Sequence, residues 1–216
     1  MPEYATAAHA QDLISCGYTI FRGYCPDAAR SLAPDFDRRV HTDVWDTFSI
    51  GSLIDPYLQY LNPVGVQLAT RGPNEPYRTV KGHIDGRYYP GNGVPEGTLC
   101  PFACLVGLFV TDCPHDASGG LVVWPGSHTA NAQQLTIDGP ESLIDKEPDI
   151  GPRPSTELHL WAGDVVVLHY LTRHGPAPNM RRVPRHALYW RPKAPTEDMW
   201  GPLTDLWKYW KIGDDC

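Results

Sequence analysis

From Pro63 onward the chain is a succession of short apolar runs, and that pattern limits its fold more than any other feature. "PVGVQLATR", "YRTVKGHID", "PFACLVGLFVTD", "GLVVWPG", "TELHLW", "DVVVLHY" and "RHALYWR" are rich in Val, Leu, Tyr and Trp and are bounded by Gly, Pro and Asp. Such runs read as strands closed by shaped turns. Several are apolar on both faces, as strands covered on two sides are. Ahead of them the pattern is helical. "TAAHAQDLISC" reads as a helix ended by Gly17, followed by the short strand "YTIFRG"; another helix begins near Pro26, and Pro34 predicts a kink or a division into two shorter helices. A mainly β fold follows: a double-sheet barrel or jelly roll with helices packed outside. We expect one domain, made of an N-terminal helical part (1–62), a jelly-roll core (63–191) and an aromatic tail (192–216). Within the core, 130–155 carries Gly139, Pro140, Pro148, Pro152 and Pro154 and reads as an insertion loop and candidate lid. The tail, with Trp200, Trp207 and Trp210, reads as an amphipathic helix docked on the barrel or as a dimer contact, so a monomer or homodimer is expected.

Charge narrows the partners. The chain carries a net charge of −7 and no cluster of Lys and Arg beyond the short pairs Arg38–Arg39 and Arg181–Arg182, which argues against nucleic acid. No apolar run reaches membrane-spanning length, and the first residues lack a basic stretch followed by an apolar one. The expected setting is the cytoplasm, with no membrane partner. There the six cysteines (Cys16, Cys25, Cys100, Cys104, Cys113 and Cys216) are expected to be reduced. Cys100 and Cys104 have no second pair at zinc-ligand spacing, and Cys104 sits in an apolar strand pattern, as a core thiol does.

The chemistry gathers around "VKGHIDGRYYPGNG". In an extended strand His83 and Asp85 point the same way. Alone they make a surface pair of little consequence. A metal would need a third ligand, and His174 in "GDVVVLHYLTRHGPAPN" qualifies by context, since a barrel strand ending there would aim its imidazole into the mouth. Two histidines and a carboxylate on one face suit non-haem Fe(II), although zinc or manganese accept similar donors. Arg185 lies eleven positions beyond His174 and opens a strand that could pair beside the one ending there. Inside an apolar barrel its guanidinium needs a partner, and a ligand carboxylate matches it.

Together "GHIDG", "GGLVVWPGSH" and "GDVVVLHYLTRHGPAPNMRRVPRHALYWR" resemble the phytanoyl-CoA dioxygenase family of Fe(II)/2-oxoglutarate oxygenases, over roughly Pro63 to Arg191. The resemblance implies a double-stranded β-helix, and Fe(II), 2-oxoglutarate and O2 as cofactor and cosubstrates. It implies His83, Asp85 and His174 as metal ligands, Arg185 for the distal carboxylate of 2-oxoglutarate, and Gln67 as a further cosubstrate contact. Family members often have Trp before the first ligand, where this chain has Gly82. They often have Ser two positions after the distal His, where it has Pro176; another donor is then expected, from Tyr88, Tyr89 or Thr79. A kept carboxylate at Asp85 favours hydroxylation, or a related oxidation of a small molecule, over halogenation. Tyr88, Tyr89, Trp124 and His169 are candidates for the substrate pocket, His169 equally for a core histidine, and His128 for closing a loop near the mouth. A cupin-type non-redox metal enzyme and a barrel that binds a metabolite without turnover are the competing readings.

Overall fold

In a computed structural model, described for residues 5–38, 41–59, 63, 65–193 and 200–212, eight strands form two antiparallel sheets. Arg39 and Cys216 lie outside the described residues. The strands are β1 (Tyr18–Phe21), β2 (Gln67–Arg71), β3 (Cys104–Phe109), β4 (Leu121–Val123), β5 (Thr156–Leu158), β6 (Val165–His169), β7 (His174–Pro176) and β8 (Arg185–Trp190). The larger sheet has the order β1-β6-β3-β8-β2 and the smaller β5-β4-β7. This is the expected mainly β, double-sheet fold.

The three central strands of the large sheet, β6, β3 and β8, are buried on both faces, which is why they lack polar alternation. Leu105, Phe109, Val166, Leu168, Ala187 and Tyr189 face Leu121, Val123 and Leu158 of the small sheet in one core. The residues between them, Cys104, Val106, Val165, Val167, Leu188 and Trp190, face the N-terminal helices in a second core. Period-two alternation sends successive side chains to opposite cores. Cys104 is in the second core, and the described cysteines are free thiols.

The helices are α1 (Ala7–Cys16), α2 (Pro26–Leu32), α3 (Val44–Thr47), α4 (Ile50–Ile54), α5 (Ser127–Asp138) and α6 (Gly201–Thr204). Gly17 ends α1 in the left-handed conformation (φ 82°), Pro26 opens α2, and α2 stops before Pro34. The segment 130–155 is not wholly a loop. It begins inside α5, whose Ser127, His128, Asn131, Ala132 and Leu135 are buried, and continues into a 3-10 turn at Pro140–Ile144. The tail docks on the barrel, but without a helix over Trp207 and Trp210. Trp210 bridges Leu58 and joins the second core. Among the described residues no helix is long and apolar enough to cross a membrane.

His169 and His128 meet this tail. Their rings lie 5.5 Å apart, and His169 stacks on Trp210 at 5.6 Å. Burial pushes the His169 pKa down to about 3 and that of His128 to about 4, from 6.5. Both are neutral in the fold and take up protons when it opens, so stability rises with pH. Their contribution is full above about 6.5 and is lost as pH falls toward about 3. Urea midpoints are therefore expected to fall between pH 7.5 and pH 5, and less steeply in His169→Gln. Parallel slopes would contradict this assignment.

Candidate metal centre

The "YRTVKGHID" run does not form the strand its composition predicts. Only His83 pairs, bridging His174 through N–H to carbonyl bonds of 2.9 and 3.0 Å. The motif is thereby an extra rung beside β7. His174 also differs from expectation, because it opens β7 after the turn 170–173 rather than ending β6. Nor does β8 pair beside it. β8 lies between β3 and β2 in the large sheet, so Arg185 meets the His174 side across the barrel interior.

Two anchors hold the motif's backbone. Ile84 is fully buried in the inter-sheet core, which leaves His83 and Asp85 on the other side. Its N–H donates to Glu147 at 3.1 Å, and the same carboxylate accepts from Arg87 and from the Tyr89 hydroxyl. The turn before His174 is fixed by α5, where Ser127 accepts from the Arg173 N–H at 2.9 Å and Asn131 donates to the Leu171 carbonyl at 2.8 Å. The "PGSH" segment thus supports the distal histidine from behind. His128 itself turns away to the Ile14 carbonyl, not to the mouth.

The donor atoms of His83, Asp85 and His174 lie within 4.8 Å of one another. Asp85 Oδ1 is 3.1 Å from His83 Nε2, and its Oδ2 is 3.7 Å from His174 Nε2. The Thr172 carbonyl lies 2.9 Å from His174 Nδ1 and accepts its proton, which frees Nε2 to ligate when the ring is neutral. Burial alone would raise the Asp85 pKa, but His174, His83 and Arg191 together hold it well below the usual range. Burial likewise opposes a charge on His174, yet the adjacent carboxylate lifts its pKa above the ordinary value. The proton on His174 therefore competes with a metal for the same nitrogen.

Arg191, which the sequence reading did not single out, donates to Asp85 Oδ2 from Nε (2.8 Å) and Nη2 (2.6 Å) and from Nη1 to Gln67 Oε1 (2.8 Å). A cation thus already rests on this carboxylate. Gln67, expected as a cosubstrate contact, lines the same cavity as the three donors and accepts from Arg191. Only strand alternation from Arg185 could have flagged Arg191, since 185, 187, 189 and 191 share a face.

These groups open on a cavity of about 770 Å3, lined also by Arg185, Tyr89, Phe102, Leu105, Leu121 and Tyr189. Arg185 is 2% exposed and donates to the backbone carbonyls of Gly119 (2.5 Å) and Ala69 (3.0 Å). Among the described residues no carboxylate pairs with it. Tyr189 lines the cavity on the same face of β8, and its hydroxyl has no hydrogen-bond partner among the described residues. Thr79 and Tyr88 do not line the cavity, and Tyr89 does, with its hydroxyl engaged by Glu147. Two further pocket candidates lie elsewhere: His169 faces the tail, and Trp124 packs behind the motif.

Trp124 accounts for Gly82. A Cβ there would fall 2.5 Å from Trp124 Cζ3 and 2.6 Å from Arg173 Cγ. Gly82→Trp is expected to cost roughly 1–3 kcal/mol by overpacking. Trp124→Ala should recover part of that loss. Denaturant midpoints of the two single variants and the double variant check it, and strict additivity would refute the shared space.

The family model for phytanoyl-CoA dioxygenase (PhyH) matches residues 67–187, more than half of the chain, and takes in His83, Asp85, His174 and Arg185. The chain belongs to the phytanoyl-CoA dioxygenase family. Solved structures similar to this family member include the non-haem α-ketoglutarate-dependent carbocyclase SnoK from nogalamycin biosynthesis (TM-score 0.59, 16% identity, 91% of this chain and 90% of that one). AviO1 from Streptomyces viridochromogenes Tue57 is similar at TM-score 0.57 and 15% identity, over 91% of this chain and 98% of its own. HygX from Streptomyces hygroscopicus, with nickel and 2-oxoglutarate bound, gives TM-score 0.55 and 15% identity over 87% of each chain. No curated protein matches the family member by sequence.

Proposed function

We propose that this protein is an Fe(II)/2-oxoglutarate-dependent dioxygenase that hydroxylates, or otherwise oxidises, a small organic molecule. The observation that carries the reading is the conjunction of two unfilled demands on one cavity. His83, Asp85 and His174 offer three donors on one wall, and Arg185 offers a buried guanidinium with no counter-charge among the described residues. The donor set fits a divalent metal: two neutral nitrogens and one carboxylate, with the remaining positions facing the cavity. The cation already seated on Asp85 supports the same fit. A dicarboxylate fits the other end. Arg185 reaches the carbonyl of Ala69 and Arg191 the side chain of Gln67, both on β2, so both guanidinium groups line the metal ligands' cavity. HygX, with nickel and 2-oxoglutarate bound, supports the choice of ligand.

Bound together, Fe(II), 2-oxoglutarate and O2 supply a two-electron oxidation of the substrate with release of succinate and CO2. The protein's own residues do the rest. His83, Asp85 and His174 hold the metal from one side and leave the other to cosubstrate and substrate. Thr172 keeps the His174 proton on Nδ1. Arg185 fixes the distal carboxylate in a desolvated site, where a fork of two N–H donors binds and orients at once. Tyr189, on the same face, is placed to be the second donor that Pro176 cannot provide. Arg191 holds one oxygen of Asp85 and so limits how that carboxylate can ligate.

Mixing the Fe(II)-loaded protein with 2-oxoglutarate under air and measuring succinate tests the reaction class. Slow succinate release without added substrate, raised by the right substrate, is expected. No succinate above the His174→Ala background with any of a broad set of small molecules would favour the non-redox alternative.

A further inference from the structure

The cavity holds more positive charge than the proposed reaction uses. β8 and the extended residues after it alternate, so Arg185, Tyr189, Arg191 and Lys193 share one face, and all four line the cavity. Pro192 bridges Pro63 and its carbonyl accepts from the Ala103 N–H, which keeps the chain extended out to Lys193. Each cation can be followed to its partner. Arg71 pairs with Glu75 at 2.5 Å. Arg191 pairs with Asp85 and Gln67. Arg185 donates to the Gly119 and Ala69 carbonyls and is the cation assigned above to the cosubstrate. Lys193 has neither an acid nor a hydrogen-bond acceptor among the described residues, and it is half-buried at the cavity wall.

One cosubstrate cannot satisfy both ends. Lys193 lies eight residues beyond Arg185, about 26 Å along an extended strand, and Arg191, which holds the ligand Asp85, lies between them. A cosubstrate held by Arg185 and the metal leaves Lys193 beyond Asp85, free to meet a substrate. The chain as a whole has a net charge of −7, so this cation stands out and draws anions to the cavity. Apolar side chains also line the cavity, among them Leu105, Val94 and Phe102, whose ring lies 5.8 Å from the Arg191 guanidinium.

We infer that the substrate is a small organic acid: its anionic group docks on Lys193, and its apolar body reaches inward past Phe102 to the metal ligands. This inference rests on the function proposed above and names the substrate class for that site. It makes Lys193 a specificity residue rather than a catalytic one.

The test uses the full chain loaded with Mn(II) and 2-oxoglutarate, and two probes of one shape, 4-fluorobenzoate and the neutral 4-fluorobenzamide. Paramagnetic relaxation of the fluorine nucleus reports how much each probe visits the metal. In wild type the acid is expected to be relaxed about fivefold more than the amide. Lys193→Met should bring the two to parity, and Lys193→Arg should keep the preference. Equal relaxation of the two probes in wild type, including none for either, overturns the inference. So does a preference that survives Lys193→Met. Loading is read separately, from the Mn(II) electron paramagnetic resonance signal with and without 2-oxoglutarate. If the metal or cosubstrate does not bind, the proposed function itself fails, and the substrate class falls with it. Lys193→Met must load like wild type, which shows that its effect is not one of folding.

Discussion

Replacing His174 by alanine is expected to weaken Fe(II) binding by more than about 100-fold while leaving the fold in place. Loss of a partner that only orients a ligand already costs about 10- to 100-fold in metal affinity, and loss of a ligand costs more. His174 is the best-held of the three donors. Its backbone is paired to His83 in both directions, its ring is fixed by the Thr172 carbonyl, and its turn is tied to α5 through Ser127. Truncation therefore removes a donor without loosening the strand. Asp85→Asn should behave similarly for metal but differently for stability, because Arg191 and His174 would lose the charge that faces them. Metal binding in wild type should also weaken as pH falls. The Asp85 carboxylate raises the His174 pKa against the effect of burial, so acid fills Nε2 with a proton before a metal can take it. Calorimetric titration at two pH values in two buffers of different ionisation enthalpy would register the released proton. Binding with no proton release would contradict the protonated His174–Asp85 pair.

The second large effect is at Arg185. Arg185→Met should reduce 2-oxoglutarate affinity by roughly 30- to 1000-fold, the loss that follows when a buried charge pair is broken. Metal binding should be unchanged, since Arg185 touches none of the three donors. The ligand-free stability should shift little, because two effects oppose each other. Removing a desolvated guanidinium relieves the fold, while the Gly119 and Ala69 carbonyls lose their donor. Melting curves separate these outcomes. Wild type gains about 2.7 kcal/mol at a 2-oxoglutarate concentration one hundred times its Kd, and the variant should gain almost none at the same concentration. A variant that melts far below wild type without ligand, yet gains as much from 2-oxoglutarate, would make Arg185 a structural residue only.

Much of this was readable in the sequence, for identifiable reasons. Strands covered on both faces need apolar residues at every position, and "LVGLF" and "VVVL" announce that without ambiguity. Gly17, Pro26 and Pro34 mark helix ends because their backbone restrictions act locally. His83, Asp85, His174 and Arg185 were legible through spacing joined to family resemblance, and the geometry now places them on one cavity. Less legible was whatever depends on which sheet a strand joins. β8 beside β3 and β2, rather than beside His174, is a tertiary fact that periodicity does not encode. Trp124 and His169 illustrate the same limit. Each sits near a motif in sequence, but one turn or one step of alternation sends it behind the motif or to the opposite core. Glu147 carried no local signal at all, as its partners Ile84, Arg87 and Tyr89 are some sixty residues away. Arg191 could have been found from strand alternation, but its bond to Asp85 could not.

Whether one cavity joins a metal site to a 2-oxoglutarate site is decided by an anaerobic titration of the metal-free protein with Fe(II) and 2-oxoglutarate. The account predicts the weak visible charge-transfer band of a metal-chelated 2-oxo acid in wild type. It predicts no band in His174→Ala, and in Arg185→Met a band that needs far more 2-oxoglutarate to appear. No band in wild type at saturating Fe(II) and 2-oxoglutarate would contradict the account and return His83, Asp85 and His174 to a site for another metal.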